Sequence, residues 1–243
     1  MLEIKNYNSS ILKDISFVLK KDENLIILGE NGAGKSTLAK VLSNLISNDK
    51  VLLFEENISK IDDLKRAKLI NYIPPKLSIF DEYITLKEFL ELSSVDIVDN
   101  NKIDKIISLL KLEKLKNRFC KAFSSGEKQL LLLASAIMHN AKITIFDELT
   151  ANLDISRLKE VFEILNSDLL EQKIVITHNL DLAYALKYKV LFVKNGKIEF
   201  FDEHEKFFTN ENLEKFYNKT ILKLENHLVV NLWKSYFIFL VLL

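Results

Sequence analysis

The residues best placed to do chemistry are Gly29-Glu30-Asn31-Gly32-Ala33-Gly34-Lys35-Ser36-Thr37. In the spacing Gly29-x4-Gly34-Lys35-Ser36, glycines let successive backbone N–H groups turn inward around an anion. A helix starting where the loop ends would point its positive terminus at the same place. Lys35 would add a fixed positive charge to the β- and γ-phosphate oxygens of a nucleotide, and the Ser36 hydroxyl would ligate Mg²⁺. The chain holds only five glycines, and three of them serve this loop, as expected where backbone must approach a ligand closely.

A second candidate is Ile143-Thr144-Ile145-Phe146-Asp147-Glu148, an apolar run ending in two acids. Taken alone, an acidic pair after a strand is an ordinary solvated loop start. With a phosphate loop upstream, Asp147 becomes the carboxylate that holds Mg²⁺ through water. Glu148, one residue on and so pointing differently, becomes the general base that polarises an attacking water.

These groups need a scaffold, and the hydrophobic pattern predicts one. Residues 24–28 read as a fully buried strand entering the loop, and Ser36 to Ile46 reads as a helix burying Leu38, Val41, Leu42, Leu45 and Ile46. Two short strands precede them, around Leu2 and Ile15–Leu19, separated by the turn Asn6 to Ser10. Further strands are expected at 50–54 and 69–73, the latter stopped by Pro74-Pro75, with a charged helix at 59–69 between them. Residues 85–138 are mostly helical in spacing. Buried strands at 143–146 and 174–177 flank a helix over 156–171, and a hairpin is expected around Asn195-Gly196. The sum is an α/β fold with a mostly parallel sheet, a small antiparallel sheet at its start and a helical insertion.

Composition narrows the partners. A 243-residue chain that is 48% hydrophobic and 28% charged can bury one well-packed core. Its 34 basic and 34 acidic residues balance, so no overall field draws it to nucleic acid. Cys120 is the single cysteine and cannot form an intrachain disulfide. The N-terminus shows no secretory pattern, so a cytoplasmic location is expected. The segment Leu228 to Leu243 is apolar but interrupted by Asn231, Lys234 and Ser235, and is shorter than the ~20 residues that cross a bilayer. Packing on the core and contact with a membrane surface both remain open for it.

Phe123-Ser124-Ser125-Gly126-Glu127, set before a helix and before the Asp-Glu strand, resembles the Leu-Ser-Gly-Gly-Gln signature of the ATP-binding cassette (ABC) ATPases. Ala151-Asn152-Leu153-Asp154 resembles that family's D-loop, and Thr177-His178 after a buried strand resembles its switch histidine. The resemblance covers about residues 1–205. It implies a P-loop core of ABC type with a small antiparallel β subdomain, a helical subdomain inserted at about 76–137, and a tail over 206–243.

The resemblance also implies roles. ATP would be held by Asn31, Gly32, Ala33, Gly34, Lys35, Ser36 and Thr37, with Mg²⁺ on Ser36 and Asp147 and with Tyr7 stacked on adenine. Glu148 and His178 would be catalytic. Ser124, Gly126 and Glu127 would bind the γ-phosphate of ATP held by a second subunit, and Asp154 would contact that subunit. A head-to-tail homodimer would then drive separate membrane permease subunits from the cytoplasmic face, in an importer with a substrate-binding protein, the metal-chelate type being one candidate. An exporter subunit, or a nucleotide-gated module with weak hydrolysis, is the alternative. Pro75 stands where the family places a glutamine that senses the γ-phosphate, and Asn71 is a possible substitute. Read alone, Ser-Ser-Gly-Glu is also a good helix cap. His139, His204 and His227 match no motif and are expected at the surface.

Overall fold

The computed structural model describes residues 1–230 apart from 152, 219, 225 and 226. Its first sheet is antiparallel and begins with β1 (Leu2–Tyr7) and β2 (Ile15–Leu19). The chain then enters β3 (Leu25–Gly29), α1 (Lys35–Leu42), β4 (Val51–Leu53) and β5 (Glu56–Asn57), and the sheet runs β2-β1-β4-β5. Next come α2 (Asp63–Leu69) and β6 (Ile70–Ile73), then α3 (Leu86–Ser93), α4 (Asn100–Leu109) and α5 (Ser125–His139). The chain returns through β7 (Ile143–Asp147), α6 (Ile155–Leu165), β8 (Gln172–Ile176), α7 (Leu180–Leu186), β9 (Lys189–Lys194) and β10 (Lys197–Asp202).

The larger sheet runs β10-β9-β3-β8-β7-β6, parallel throughout except for the β9–β10 hairpin. Every residue of β3, β7 and β8 is buried, the pattern of parallel strands covered on both faces. Their carboxyl ends lie together, so the loops after β3, β7 and β8 converge on one edge, where open α/β sheets bind ligands.

The helical insertion between β6 and β7 has its own reasons to fold. Thr85 and Glu88 form a reciprocal capping box on α3, and Ser124 and Glu127 form another on α5. Leu86 and Leu90, then Ile103, Ile106 and Ile107, bury one face each of α3 and α4 in the core shared with α5.

After β10 the chain does not trail off. It forms α8 (His204–Phe207), α9 (Asn210–Tyr217) and the hairpin β11 (Ile221–Leu224) with β12 (His227–Val230). Phe207 and Phe216 stack at 5.5 Å over Phe192 of β9, and Leu228 is buried. The remainder of the apolar tail, 231–243, lies outside the described residues. No helix among the described residues is long and apolar enough to cross a membrane.

Several sequence expectations change here. Helix α1 stops at Leu42, because the Ser43 hydroxyl bonds the Ala39 carbonyl and Asn44 turns left-handed at φ 60°. Leu45, expected on the buried face, is 63% exposed. Helix α2 begins only at Asp63, capped by Asp62, and α6 ends at Leu165. His204 is not a surface residue; its ring is buried, with Nε2 2.9 Å from the Tyr184 carbonyl oxygen. His139 is half-buried, with Nε2 2.8 Å from the Ala67 carbonyl oxygen. His227 lies in β12.

Candidate nucleotide-binding and hydrolysis site

Asn31, Gly32, Gly34, Lys35, Ser36, Thr37, Glu148 and His178, with Ile11, line one cavity of about 290 Å³ at the carboxyl edge of the sheet. Three separate loops therefore bring the phosphate-loop residues, the acid and the histidine together. Gly34 opens α1 with φ 104°, and a Cβ there would stand 2.7 Å from the Leu12 side chain. The positive φ is what calls for glycine here. The buried Ala33 lies in the same loop but does not line the cavity.

Lys35 is almost wholly buried and its ammonium donates to the carbonyls of Gly29 (2.8 Å) and Glu30 (2.9 Å). An ammonium carries three protons, so one is left for an anionic oxygen. Burial pulls its pKa below the usual lysine range, against the opposing pull of Glu148 and Asp147.

Asp147 is fully buried at the end of β7. One carboxylate oxygen accepts from Ser36 Oγ at 3.1 Å, and the other accepts from Tyr72 Oη at 2.8 Å. Mg²⁺ prefers hard oxygens and needs one or two from the protein besides phosphate and water. Ser36 and Asp147 offer such a pair, so the residues fit that ion. Tyr72 was not singled out by sequence reasoning. It sits on β6 opposite Ile145, and burial together with its bond to Asp147 raises its pKa, keeping it a donor. Asn71, the suggested stand-in for a sensing glutamine, lies in a different cleft beside Ala67 and His139. A large hydroxylated residue on the strand next to an acidic strand end was the available signal.

Glu148 follows directly, at φ 55°, a left-handed backbone that is uncommon outside glycine, asparagine and aspartate. Its amide donates to the Ile176 carbonyl at 3.0 Å, tying the two strand ends. Burial chiefly, with the Asp147 charge adding and Lys35 opposing, pushes its pKa up to about 7. That is the range in which a carboxylate can accept a proton from water. His178 Nε2 lies 3.0 Å from Glu148 Oε1. The contact lacks hydrogen-bond alignment, and Glu148 Oε1 has no aligned partner. Burial and Lys35 hold His178 below the usual histidine range, so it faces the cavity neutral.

The other predicted residues lie elsewhere. Ser124 caps α5, and Glu127 is tied to the Ser124 amide at 2.7 Å. Neither they nor Gly126 line the cavity. Asp154 caps α6, accepting from the Arg157 amide and the Ser156 hydroxyl, and those bonds lower its pKa. Asn152 of the same loop lies outside the described residues. The Pro75 carbonyl accepts from Gln129 Nε2 at 2.8 Å, which joins the loop after β6 to the first turns of α5.

Tyr7 requires a correction. It is only 8% exposed, packed in the core between the two sheets, and does not line the cavity. The cause is a bulge. Ile4 pairs with Phe17 but Tyr7 pairs with Ile15, so β1 carries one extra residue, with Asn6 at φ 48°. One extra residue turns the following side chain to the opposite face. Ile11 occupies the cavity wall instead.

The family model for ABC transporters matches residues 12–151. An ABC transporter ATP-binding protein of Clostridium tetani is 32% identical over 200 residues, 77% of this chain and 44% of that one. The chain belongs to the ABC transporter family. It spans less than half the length of the clostridial relative. The zinc import ATP-binding protein ZnuC of Buchnera aphidicola is 32% identical over 193 residues, covering 77% of this ABC chain and 76% of ZnuC. Among solved structures, a dimeric post-hydrolysis state of the ATP-binding cassette MJ0796, bound to ADP and Pi, superposes with a TM-score of 0.73 at 20% identity. That match covers 84% of this chain and 99% of the other, and supports the fold.

Proposed function

We propose that this chain binds MgATP in the cavity between the phosphate loop and Glu148, hydrolyses it, and uses the cycle to drive an importer's membrane subunits. The observation that carries the chemistry is the convergence of Lys35, Ser36, Glu148 and His178 on one cavity, with Asp147 bonded behind Ser36. Bound Mg²⁺, held by Ser36 and Asp147, would neutralise charge on the phosphates. Lys35 and the loop amides orient the γ-phosphate, Glu148 accepts the proton of the attacking water, and neutral His178 is in reach of the same phosphate.

Ser124, Gly126 and Glu127 stand apart from the cavity, and Ser124 is exposed at the start of a 15-residue helix. A helix terminus of this kind suits an anion. In a head-to-tail homodimer each would complete the site of the other copy, with Asp154 near the seam; the dimeric MJ0796 structure supports this reading. The cassette would span residues 1–205 with its helical subdomain at about 76–137. Tyr83, Ile84 and Leu92, with Asp81, Glu88 and Glu91, line a cleft of about 390 Å³ on the helical insertion, and exposed apolar side chains there, with Phe80 (93% exposed) next in the chain, suit a membrane permease docked from the cytoplasmic face. Similarity to ZnuC favours import, with a substrate-binding protein as the further partner.

The test is turnover of purified protein at saturating ATP. Glu148→Gln keeps size and removes the base, so the rate should fall by roughly 10²–10⁴-fold, and the trapped ATP should double the apparent mass in size-exclusion chromatography. Equal turnover in variant and wild type would remove Glu148 from the mechanism. The Pro75 substitution favours a second reading, a nucleotide-gated module with slow hydrolysis; retained ATP-dependent dimerisation with no measurable wild-type turnover would select it.

A further inference from the structure

A second cleft, of about 240 Å³, is lined by Leu45, Asp63, Arg66, Ile70, Asn71 and Tyr72 among others. Consecutive residues of a strand point to opposite faces, so a cleft that touches Ile70, Asn71 and Tyr72 together runs along the edge of β6. That edge is open, because β6 is the last strand of the larger sheet. Among the described residues, neither Asn71 nor Tyr72 makes a backbone–backbone bond outside the pairing with β7. An open strand edge offers N–H and C=O groups side by side. The Asn71 side-chain amide, which can both donate and accept, has no partner among the described residues either.

The charged groups say what would fit there. Arg66 donates to Asp63 at 2.5 Å and to the Ile61 carbonyl at 3.1 Å, and a guanidinium with five N–H groups has others left to give. The Asp63 side chain is 95% exposed, so its second carboxylate oxygen is within reach of a ligand. A simple anion placed here would meet the Asp63 charge, and a simple cation would meet Arg66. A zwitterion laid against the pair satisfies both, its carboxylate on Arg66 and its ammonium on Asp63. Leu45 and Ile70 supply apolar wall beside them, and the volume lies below the range that takes drug-sized ligands. We infer that the edge of β6 is a binding site for a free α-amino acid with an uncharged side chain.

Tyr72 gives such a site a consequence. It lines this cleft and not the nucleotide cavity, yet its hydroxyl donates to Asp147, whose other oxygen accepts from Ser36. One side chain therefore joins two separate sites. The walls around it are already braced: His139, at the end of α5, meets the Ala67 carbonyl of α2 at 2.8 Å. An amino acid packed against Tyr72 favours the placement it touches best, and metal binding at Asp147 must then change amino-acid affinity by the same factor that the amino acid changes metal affinity. The link to the metal rests on the MgATP reading above. The binding site itself does not.

The experiment is calorimetric titration of the nucleotide-free full chain with leucine and glutamine, and with isocaproate and isopentylamine, which each keep one of leucine's two charges. Leucine or glutamine should bind with a Kd of about 1 mM or tighter, and the single-charge analogues about tenfold more weakly than leucine. Arg66→Met should cost about tenfold, and Asn71→Ala, which leaves α2 intact, about threefold. No binding by either amino acid, or an analogue that binds as well as leucine, would overturn the site. For the link, the Mn²⁺ affinity of the Glu148→Gln chain in the presence of ATP should shift about fivefold when the amino acid is saturating, and the shift should vanish in Tyr72→Phe. An unmoved Mn²⁺ affinity would overturn the link while leaving the site standing. Absence of any Mn²⁺–ATP binding would sink the MgATP reading and the link with it, and the nucleotide-free titration would still decide the site.

Discussion

The phosphate end of the cavity and the loop after β6 are neighbours built to opposite standards. At the phosphate end two charged groups are held by more than one partner each: Lys35 by two carbonyls, Asp147 by Ser36 and Tyr72. After β6, the backbone at Pro75 is joined to α5 by the Gln129 amide, and beyond it Phe80 and Tyr83 stand in solvent. Groups that must meet a developing charge gain from being fixed in advance. A segment that must respond to a bound phosphate or a docked partner gains from having few restraints.

The largest way to break this contrast is Lys35→Ala. It removes a charge-assisted contact at the better-held end, and ATP affinity should fall by about tenfold to a hundredfold in equilibrium binding. An unchanged affinity would mean that the fixed end does not bind phosphate. Tyr72→Phe is the intermediate case. It leaves the ring but frees one buried oxygen of Asp147, so the apparent affinity for Mn²⁺ in the presence of ATP, followed by its paramagnetic signal, should weaken by roughly fivefold. If metal affinity does not move, the tyrosine only fills space. The smallest effect belongs to Gln129→Leu, which cuts the link to Pro75. Amide exchange at Lys76 and Leu77 should quicken about fivefold with ATP affinity unchanged; protection equal to wild type would show that the loop is held by something else.

The two ends also differ in how far the sequence revealed them. The phosphate loop was legible because its glycines, lysine and hydroxyl residues are consecutive, and a backbone that wraps an anion leaves few other choices of residue. Asp147 and Glu148 were legible because they end a strand that is apolar but for Thr144. Tyr72 was missed because its role depends on the lateral register of β6 against β7, which no local pattern prints. Tyr7 misled for a different reason. Strict alternation through Leu2 and Ile4 would turn it outward, and one bulged residue at Asn6 reverses that. His204 and His139, expected at the surface, lie against the Tyr184 and Ala67 carbonyls, partners that exist only once the helices are placed. In the segment after β10, the apolar residues were visible, but their partner, the Phe192 ring, lies in an earlier strand.

Gly196 touches neither phosphate nor metal, yet it sits in the turn between β9 and β10 where the β1–β2 loop meets the phosphate loop. In a genetic screen it would score as a nucleotide-site residue. Any side chain there would push the Ile11 loop off its seat, and the expected defect is weakened nucleotide binding in a protein that still folds.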